Sequence, residues 1–170
     1  GALGVMVPNV QTVEQAQRVV DAVKFAPAGK RGVGLGGAHT NYSGCDFREF
    51  FDAINESGVV ICQIESVQGL ENADAIAALP GVDNIWVGQA DLSTSLGIPG
   101  EYQNEKFTSA LRHVAEVAKK HGKRAGIQPT DVQHARQWID FGFSCISWSV
   151  DSVVYRGAMA QSIIDLKKML

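Results

Sequence analysis

Residues 59–65, VVICQIE, decide the fold, because they read as a buried strand that ends in a carboxylate. An unbroken apolar run is typical of a strand in a parallel sheet whose outer face is covered by helices. Side chains alternate along a strand, so Gln63 and Glu65 share one face, while Val60, Cys62 and Ile64 share the other. The apolar face suits packing against helices. The polar pair is therefore predicted to point the other way, towards the axis of a barrel.

Apolar runs of strand length alternate with helix-period segments along the whole chain. Five βα pairs can be counted, a pattern typical of an α/β protein with a parallel sheet. The predicted strands are residues 5–10, 59–64, 85–88, 125–127 and 145–150. Capping-box patterns at Thr12 and Thr130 predict the starts of two helices. An apolar stripe over residues 70–79 predicts another, and the last helix is expected to begin at about Asp151.

Two architectures suit five such units, a doubly wound sheet and a (β/α)₈ barrel. A barrel normally needs about 250 residues and eight units. The 170 residues cannot close one and would supply only part of it. No linker or low-complexity tract divides the chain, so residues 1–170 are predicted to be a single domain.

Composition and charge exclude several classes of function. The 170 residues carry 15 Lys and Arg against 18 Asp and Glu, a net charge of −3, so no basic excess is available to hold nucleic acid. Apolar stretches are too short to span a bilayer, and no membrane partner is expected. The three cysteines, Cys45, Cys62 and Cys145, have no CxxC spacing and predict reduced thiols in a cytoplasmic protein.

Two carboxylates follow neighbouring predicted strands, Glu65 after the second and Asp91 after the third. Sites of parallel α/β folds form at this carboxyl edge of the sheet. Two acidic side chains in one small volume repel each other unless a proton or a cation intervenes. A hard divalent cation such as Mg²⁺ or Mn²⁺, with water in its other positions, resolves the repulsion. The alternative is that Asp91 caps the following helix and Glu65 lies in a surface loop.

Other motifs carry weaker signals. Residues 32–37, GVGLGG, match the G-x-G-x-x-G pattern of dinucleotide sites, but no strand precedes them and no helix follows. A mobile glycine loop at the mouth of a site is the favoured interpretation. The four histidines form no constellation. Only His39 lies where it could approach a site, and a solvated loop histidine is favoured there.

The carboxylate motifs make a resemblance recognisable. Residues 63–66, QIES, and 81–93, GVDNIWVGQADLS, resemble those of the metal-dependent class II pyruvate aldolases in the HpcH/HpaI aldolase/citrate lyase family, and residues 7–10, 27–34 and 150–151 agree in order and spacing. This family includes hydroxy-oxo-heptanedioate and keto-deoxy-sugar-acid aldolases. The resemblance implies a (β/α)₈ TIM barrel of the phosphoenolpyruvate/pyruvate superfamily. Residues 1–170 would form its units four to eight, and the first units are expected upstream of Gly1.

The resemblance also implies a reaction and roles for four residues. The reaction is the reversible retro-aldol cleavage of a 4-hydroxy-2-oxo acid to pyruvate and an aldehyde through a metal-stabilised enolate. Glu65 and Asp91 match the metal ligands for Mg²⁺ or Mn²⁺, with Co²⁺ as a further option. Gln63 matches the residue that contacts the keto oxygen. The backbone N–H groups of Ala90 and Asp91 match the donors to the substrate carboxylate.

The chain departs from the family pattern in important places. The family's general-base histidine and substrate-binding arginine belong to the second and third units and are expected upstream, and Arg31 and His39 are not their equivalents. No catalytic residue is therefore assigned within the chain. Gln89 replaces a usual proline and Ser149 a usual glycine, which leaves the aldehyde open.

Family members form hexamers that exchange their last helix between subunits. The resemblance therefore implies a homo-oligomer in which Ile163, Leu166 and Met169 contact a partner, although an intrachain helix would show the same stripe.

Two other functions stay open. One is an acyl-CoA ester lyase of the citrate-lyase type, which would need a basic groove, and no Lys/Arg cluster accompanies the motifs. The other is a non-catalytic protein that binds a metal and a keto acid, since the base and the arginine are not in the chain.

Overall fold

The computed structural model describes residues 2–170. Five strands form one parallel sheet in chain order: β1 (Gly4–Val7), β2 (Val59–Ile64), β3 (Asn84–Val87), β4 (Arg124–Ile127) and β5 (Cys145–Ile146). A doubly wound sheet reverses its strand order at a switch point, whereas successive βα units of a barrel add strands in one direction. The sheet is therefore an arc of a (β/α)₈ barrel, as the family resemblance predicts.

Helices follow or connect the strands. They are α1 (Val13–Val23), α2 (Phe47–Ser57), α3 (Val67–Glu71), α4 (Ala73–Ala77), α5 (Gln89–Ser95), α6 (Glu105–Lys120), α7 (Val132–Asp140) and α8 (Asp151–Lys167), with a short 3₁₀ helix at Ala38–Thr40. Within residues 2–170, no helix is both long and apolar enough to cross a membrane.

The main core lies between the outer face of the sheet and the helices. Val60, Cys62 and Ile64 are fully buried on that face of β2, which confirms the predicted alternation. Helix α6 buries a stripe against β3 and β4 that includes Phe107, Leu111 and Val114. The inner face of β2 is left to Ile61 and Gln63, which are half-buried.

The local sequence patterns predicted some element boundaries correctly and others wrongly. The bounds of β2 are those predicted, and Thr12 forms a capping box with Gln15 at the start of α1. The prediction of a capping box at Thr130 is wrong, because Asp131 is the N-cap of α7 and accepts from the N–H of His134 at 2.8 Å. Strand β5 has two residues instead of six, and both of them pair with β4.

Two helical features differ from the sequence prediction. The stripe over residues 70–79 forms two short helices, α3 and α4, which break at Asn72, whose side chain donates to the Gln11 carbonyl at 2.8 Å. Helix α2 was not predicted, although Phe47, Phe50, Phe51 and Ile54 have helical spacing and Asp46 is its N-cap. Phe51 stacks on Phe25 with ring centroids 4.3 Å apart, which docks α2 on the end of α1.

Helix α8 contrasts with every other long helix, since all residues from 151 to 170 are exposed. Its exposed apolar side chains are spread around the helix rather than gathered in one stripe; they include Val153, Val154, Tyr155, Met159, Ile163, Ile164 and Leu166. A helix that is apolar all round is typical of a buried one.

Candidate metal and substrate site

The carboxyl ends of β1, β2 and β3 meet at one edge of the sheet. Glu65 follows β2 directly, and Asp91 lies in the first turn of α5, just beyond β3. Both line an open cleft of about 530 Å³, together with Pro8, Asn9, Thr94 and Ser95. The two predicted metal ligands are thus neighbours around one cavity, as expected for strand ends that share an edge.

Both oxygens of the Glu65 carboxylate accept hydrogen bonds. The backbone N–H of Asn9 donates to Oε2 at 2.7 Å, and Nε2 of Gln63 donates to Oε1 at 2.5 Å. A carboxylate oxygen has more than one acceptor site, so each oxygen can still receive another partner from the cleft. The half-buried Glu65 side chain is therefore held in one orientation with acceptor capacity to spare. Glu65 does lie in the short link between β2 and α3, as in the surface-loop alternative, but two hydrogen bonds hold its carboxylate there.

Gly88 provides the space for this arrangement. A Cβ atom at this position would lie 2.5 Å from Cγ and Oε1 of Glu65 and 2.7 Å from Nε2 of Gln63. Both distances are far below normal van der Waals contact. Any larger residue at position 88 would push the carboxylate and the amide away from their present places.

The start of α5 presents backbone donors beside Asp91. The first hydrogen bond within the helix runs from the Leu92 N–H to the Gly88 carbonyl at 2.9 Å. The N–H groups of Ala90 and Asp91 precede it and have no acceptor within the helix. The N-cap is Gly88 and no side chain caps the helix, so the alternative role of Asp91 as a helix cap is wrong.

The donor set suits a hard divalent cation. Glu65 and Asp91 offer carboxylate oxygens, the ligands that Mg²⁺ and Mn²⁺ prefer. Across residues 2–170, no group of three or more His, Cys, Asp or Glu side chains is placed to hold a metal ion. The arrangement fits a cation held by one or two carboxylates and completed by water or substrate oxygens, which is the usual situation for Mg²⁺.

The glycine-rich segment lies elsewhere. Arg31, Ala38 and His39, which flank it, line a cavity of about 420 Å³ beside Gly4 and Gly58, at the amino ends of β1 and β2. The expectation of a glycine loop at the mouth of the site is therefore wrong. The reason is that α1 runs antiparallel to the strands, so the residues after it lie at the amino ends of the strands.

The remaining candidates for chemistry are also outside the cleft. His39 packs near the Phe50 ring at 5.8 Å, and His134 is 2.8 Å from Asp131 and stacks on Trp138. All three cysteines are free. Burial raises the pKa of the Cys62 thiol to about 11, which makes it a poor nucleophile.

One departure from the family pattern has a backbone counterpart. Ser149 has a φ of 55°, in the left-handed region that glycine adopts without strain. A glycine at this position, as the family usually has, would fit the observed backbone directly.

Curated relatives match almost the whole chain. A hydroxypyruvate/pyruvate aldolase of Chromohalobacter salexigens is 36% identical over 167 residues, 98% of this chain and 65% of the relative. A 5-keto-4-deoxy-D-glucarate aldolase of Shigella sonnei is 34% identical over 168 residues, 99% of this chain and 65% of the relative. The chain thus spans about 65% of the length of these curated relatives.

The structural comparison gives the same result. The crystal structure of an HpcH/HpaI aldolase from Desulfitobacterium hafniense matches with a TM-score of 0.89 and 30% identity, and the match covers 98% of this chain and 64% of that one. The HpcH/HpaI aldolase/citrate lyase family itself matches residues 1–158. With its arc of βα units and its paired carboxylates at the strand ends, the chain belongs to the HpcH/HpaI aldolase/citrate lyase family.

Proposed function

We propose that the protein catalyses the reversible retro-aldol cleavage of a 4-hydroxy-2-oxo acid to pyruvate and an aldehyde. The observation that carries this proposal is the pair of carboxylates, Glu65 and Asp91, on one cleft at the carboxyl edge of the sheet. Two relatives at 34–36% identity are named as pyruvate-type and keto-deoxy-sugar-acid aldolases, which supports the same reaction class. Cleavage of the carbon–carbon bond leaves an electron pair on the pyruvate fragment, and the site has to stabilise that negative charge.

Glu65 and Asp91 would hold a divalent cation, Mg²⁺ or Mn²⁺, with Co²⁺ as a third option. When bound, the cation supplies Lewis-acid withdrawal of charge from the keto acid, which stabilises the pyruvate enolate. The hydrogen bonds from Asn9 and Gln63 to Glu65 fix the direction of its carboxylate.

Neighbouring groups would orient the substrate. Gln63 is half-buried on the inner face, two residues before Glu65, and its amide would contact the keto oxygen. The backbone N–H groups of Ala90 and Asp91 would bind the substrate carboxylate, because they have no acceptor within α5. The keto oxygen and the carboxylate of the substrate would then each face a hydrogen-bond donor of the protein.

Residues 1–170 would correspond to units four to eight of the barrel. The sheet order supports this assignment, as does the 65% share of the relatives' length. None of the six residues that line the cleft in the described part of the chain is a histidine, arginine or lysine. The general base and the arginine that completes the substrate site would belong to the earlier units.

The absence of a basic residue from the described cleft lining also favours one rival, a non-catalytic protein that binds a metal and a keto acid. It predicts that pyruvate binds with Mn²⁺ and that its methyl protons do not exchange with D₂O. Rapid metal-dependent exchange, followed by NMR, would exclude this rival. An acyl-CoA ester lyase has no comparable observation in its favour.

The protein would act as a homo-oligomer, a hexamer by family resemblance. The support is α8, whose apolar side chains are exposed around the whole helix and would be covered by a neighbouring subunit. Size-exclusion chromatography with light scattering gives the subunit number, and a monomer at micromolar concentration would contradict the proposal.

The reaction is tested by Glu65→Gln in the full-length protein. The variant keeps the shape of the side chain but loses the anionic charge and one of the two acceptor oxygens, so Mn²⁺ affinity is expected to fall by roughly 100-fold, with pyruvate release falling with it. Glu71→Gln, which alters an exposed glutamate at the end of α3, is the matched control and should keep both. Unchanged Mn²⁺-dependent pyruvate release in Glu65→Gln would refute the proposal.

A further inference from the structure

Asn9 combines an unusual backbone with a direct contact to the proposed metal ligand. Its φ is 52°, in the left-handed region that few residues other than glycine adopt, asparagine being among those that tolerate it best. This conformation turns the chain sharply after β1. It aims the Asn9 N–H at Oε2 of Glu65, 2.7 Å away and 56 residues further along the chain.

The turn is tied down by its neighbours. The N–H of Val10 donates to the Gln63 carbonyl at 3.0 Å, so the turn is joined to the end of β2 by two successive backbone donors. Nε2 of Gln11 donates to the Asn9 side-chain carbonyl at 3.0 Å. The Gln11 carbonyl in turn accepts from Asn72 at the α3–α4 break.

Glu65 is consequently confined on three sides. Asn9 holds Oε2, Gln63 holds Oε1, and the backbone at Gly88 lies close against the side chain. Of these three, only the Asn9 contact depends on a strained backbone conformation. Left-handed residues other than glycine are concentrated at functional sites, where surrounding contacts keep them in place.

We propose that Asn9 is a positioning residue, whose left-handed turn holds Glu65 in the orientation from which it binds a divalent cation. This inference rests on the proposed function, since it takes Glu65 as a metal ligand. Partners that orient a ligand from outside the coordination sphere typically change metal affinity by about 10- to 100-fold. The Asn9 N–H does so through the main chain, so the sensitive property is φ at position 9 and not the amide side chain.

The test measures Mn²⁺ affinity by electron paramagnetic resonance or titration calorimetry, without substrate. In Asn9→Val the β-branched residue cannot keep a positive φ, so Mn²⁺ binding is expected to weaken roughly tenfold or more. Asn9→Gly adopts a positive φ freely and is expected to keep most of the wild-type Mn²⁺ affinity, although the side-chain contact to Gln11 is lost. Should the valine variant fail to fold, Asn9→Ala takes its place and is expected to bind more weakly than Asn9→Gly.

The chain supplies a matched control. Asn41 has a φ of 53° and lies just after the 3₁₀ helix, away from the cleft. Asn41→Val carries the same backbone strain, so it is expected to lose a similar amount of thermal stability while its Mn²⁺ affinity stays that of the wild type. If Asn9→Val binds Mn²⁺ as tightly as Asn41→Val, the positioning role is refuted. If Glu65→Gln binds Mn²⁺ like the wild type, the proposed function fails, and the inference fails with it.

Discussion

The two ends of the sheet use charged and polar groups in opposite ways. At the amino ends of the strands Lys24 is 5% exposed, and its Nζ donates to the carbonyls of Asn55 (2.8 Å) and Gly58, with Asp83 at 3.9 Å. At the carboxyl ends, Glu65 accepts two hydrogen bonds and keeps acceptor capacity towards an open cleft. A buried cation whose donors are used stabilises a fold, whereas an oriented anion with capacity to spare can bind a ligand.

Lys24→Met tests the stabilising end and has the largest expected effect. The change leaves two backbone carbonyls near the end of α2 without their donor, so the free energy of unfolding should fall by about 3 kcal/mol. Urea denaturation measures the loss, and Mn²⁺ affinity of the folded variant should be unchanged.

Lys30→Met is the control for this comparison. Its Nζ pairs with Asp21 at 2.5 Å, but the lysine side chain is 81% exposed, so its removal should cost less than about 1 kcal/mol. Equal losses in the two variants would show that burial of Lys24 contributes nothing special.

Gly88→Ala tests the binding end. The added Cβ would displace the carboxylate of Glu65 and the amide of Gln63, so Mn²⁺ affinity is expected to fall about tenfold, equivalent to about 1.4 kcal/mol. The backbone at Gly88, with φ −84° and ψ 90°, lies outside the positive-φ region, so backbone strain adds little to the effect. Gly34→Ala, where a Cβ would meet nothing within 4 Å, is the control. Wild-type Mn²⁺ affinity in Gly88→Ala would show that the carboxylate does not need this clearance.

Apart from the Lys30→Met control, Ser149→Gly has the smallest expected effect, and it acts on stability alone. Glycine relieves the left-handed conformation at φ 55°, so the melting temperature should rise by an amount equivalent to about 1 kcal/mol. Differential scanning calorimetry detects the shift. A lower melting temperature would mean that the serine side chain contributes more than its backbone strain costs.

The sequence predicted what short-range patterns determine. Strand β2 and the capping box at Thr12 depend on residues close in the chain, and both agree with the structure. The convergence of Glu65 and Asp91 followed from a general rule, that the carboxyl ends of parallel strands share an edge. The family motifs added the barrel, which five units alone could not distinguish from a doubly wound sheet.

What the sequence left out depends on contacts between distant segments. No local pattern predicts the hydrogen bond from the Asn9 N–H to Glu65, because 56 residues separate the two. The contact also requires a left-handed backbone at position 9, which asparagine tolerates but does not by itself indicate. The place of the glycine loop depends on where α1 delivers the chain. Helix α2 is a different case, since the spacing of its phenylalanines was a local signal that a helical-period count would have detected.

The two outer strands of the sheet have unequal edges, and this gives strand addition a preferred side. Strand β5 pairs over only two residues, so it offers a short template to an incoming strand. Strand β1 has four residues, and its Val5 and Met6 side chains are 37% and 42% exposed. Open, apolar edges recruit other strands, whereas very short edges discourage them. In the proposed barrel, β1 would therefore present the longer edge for pairing with a further strand.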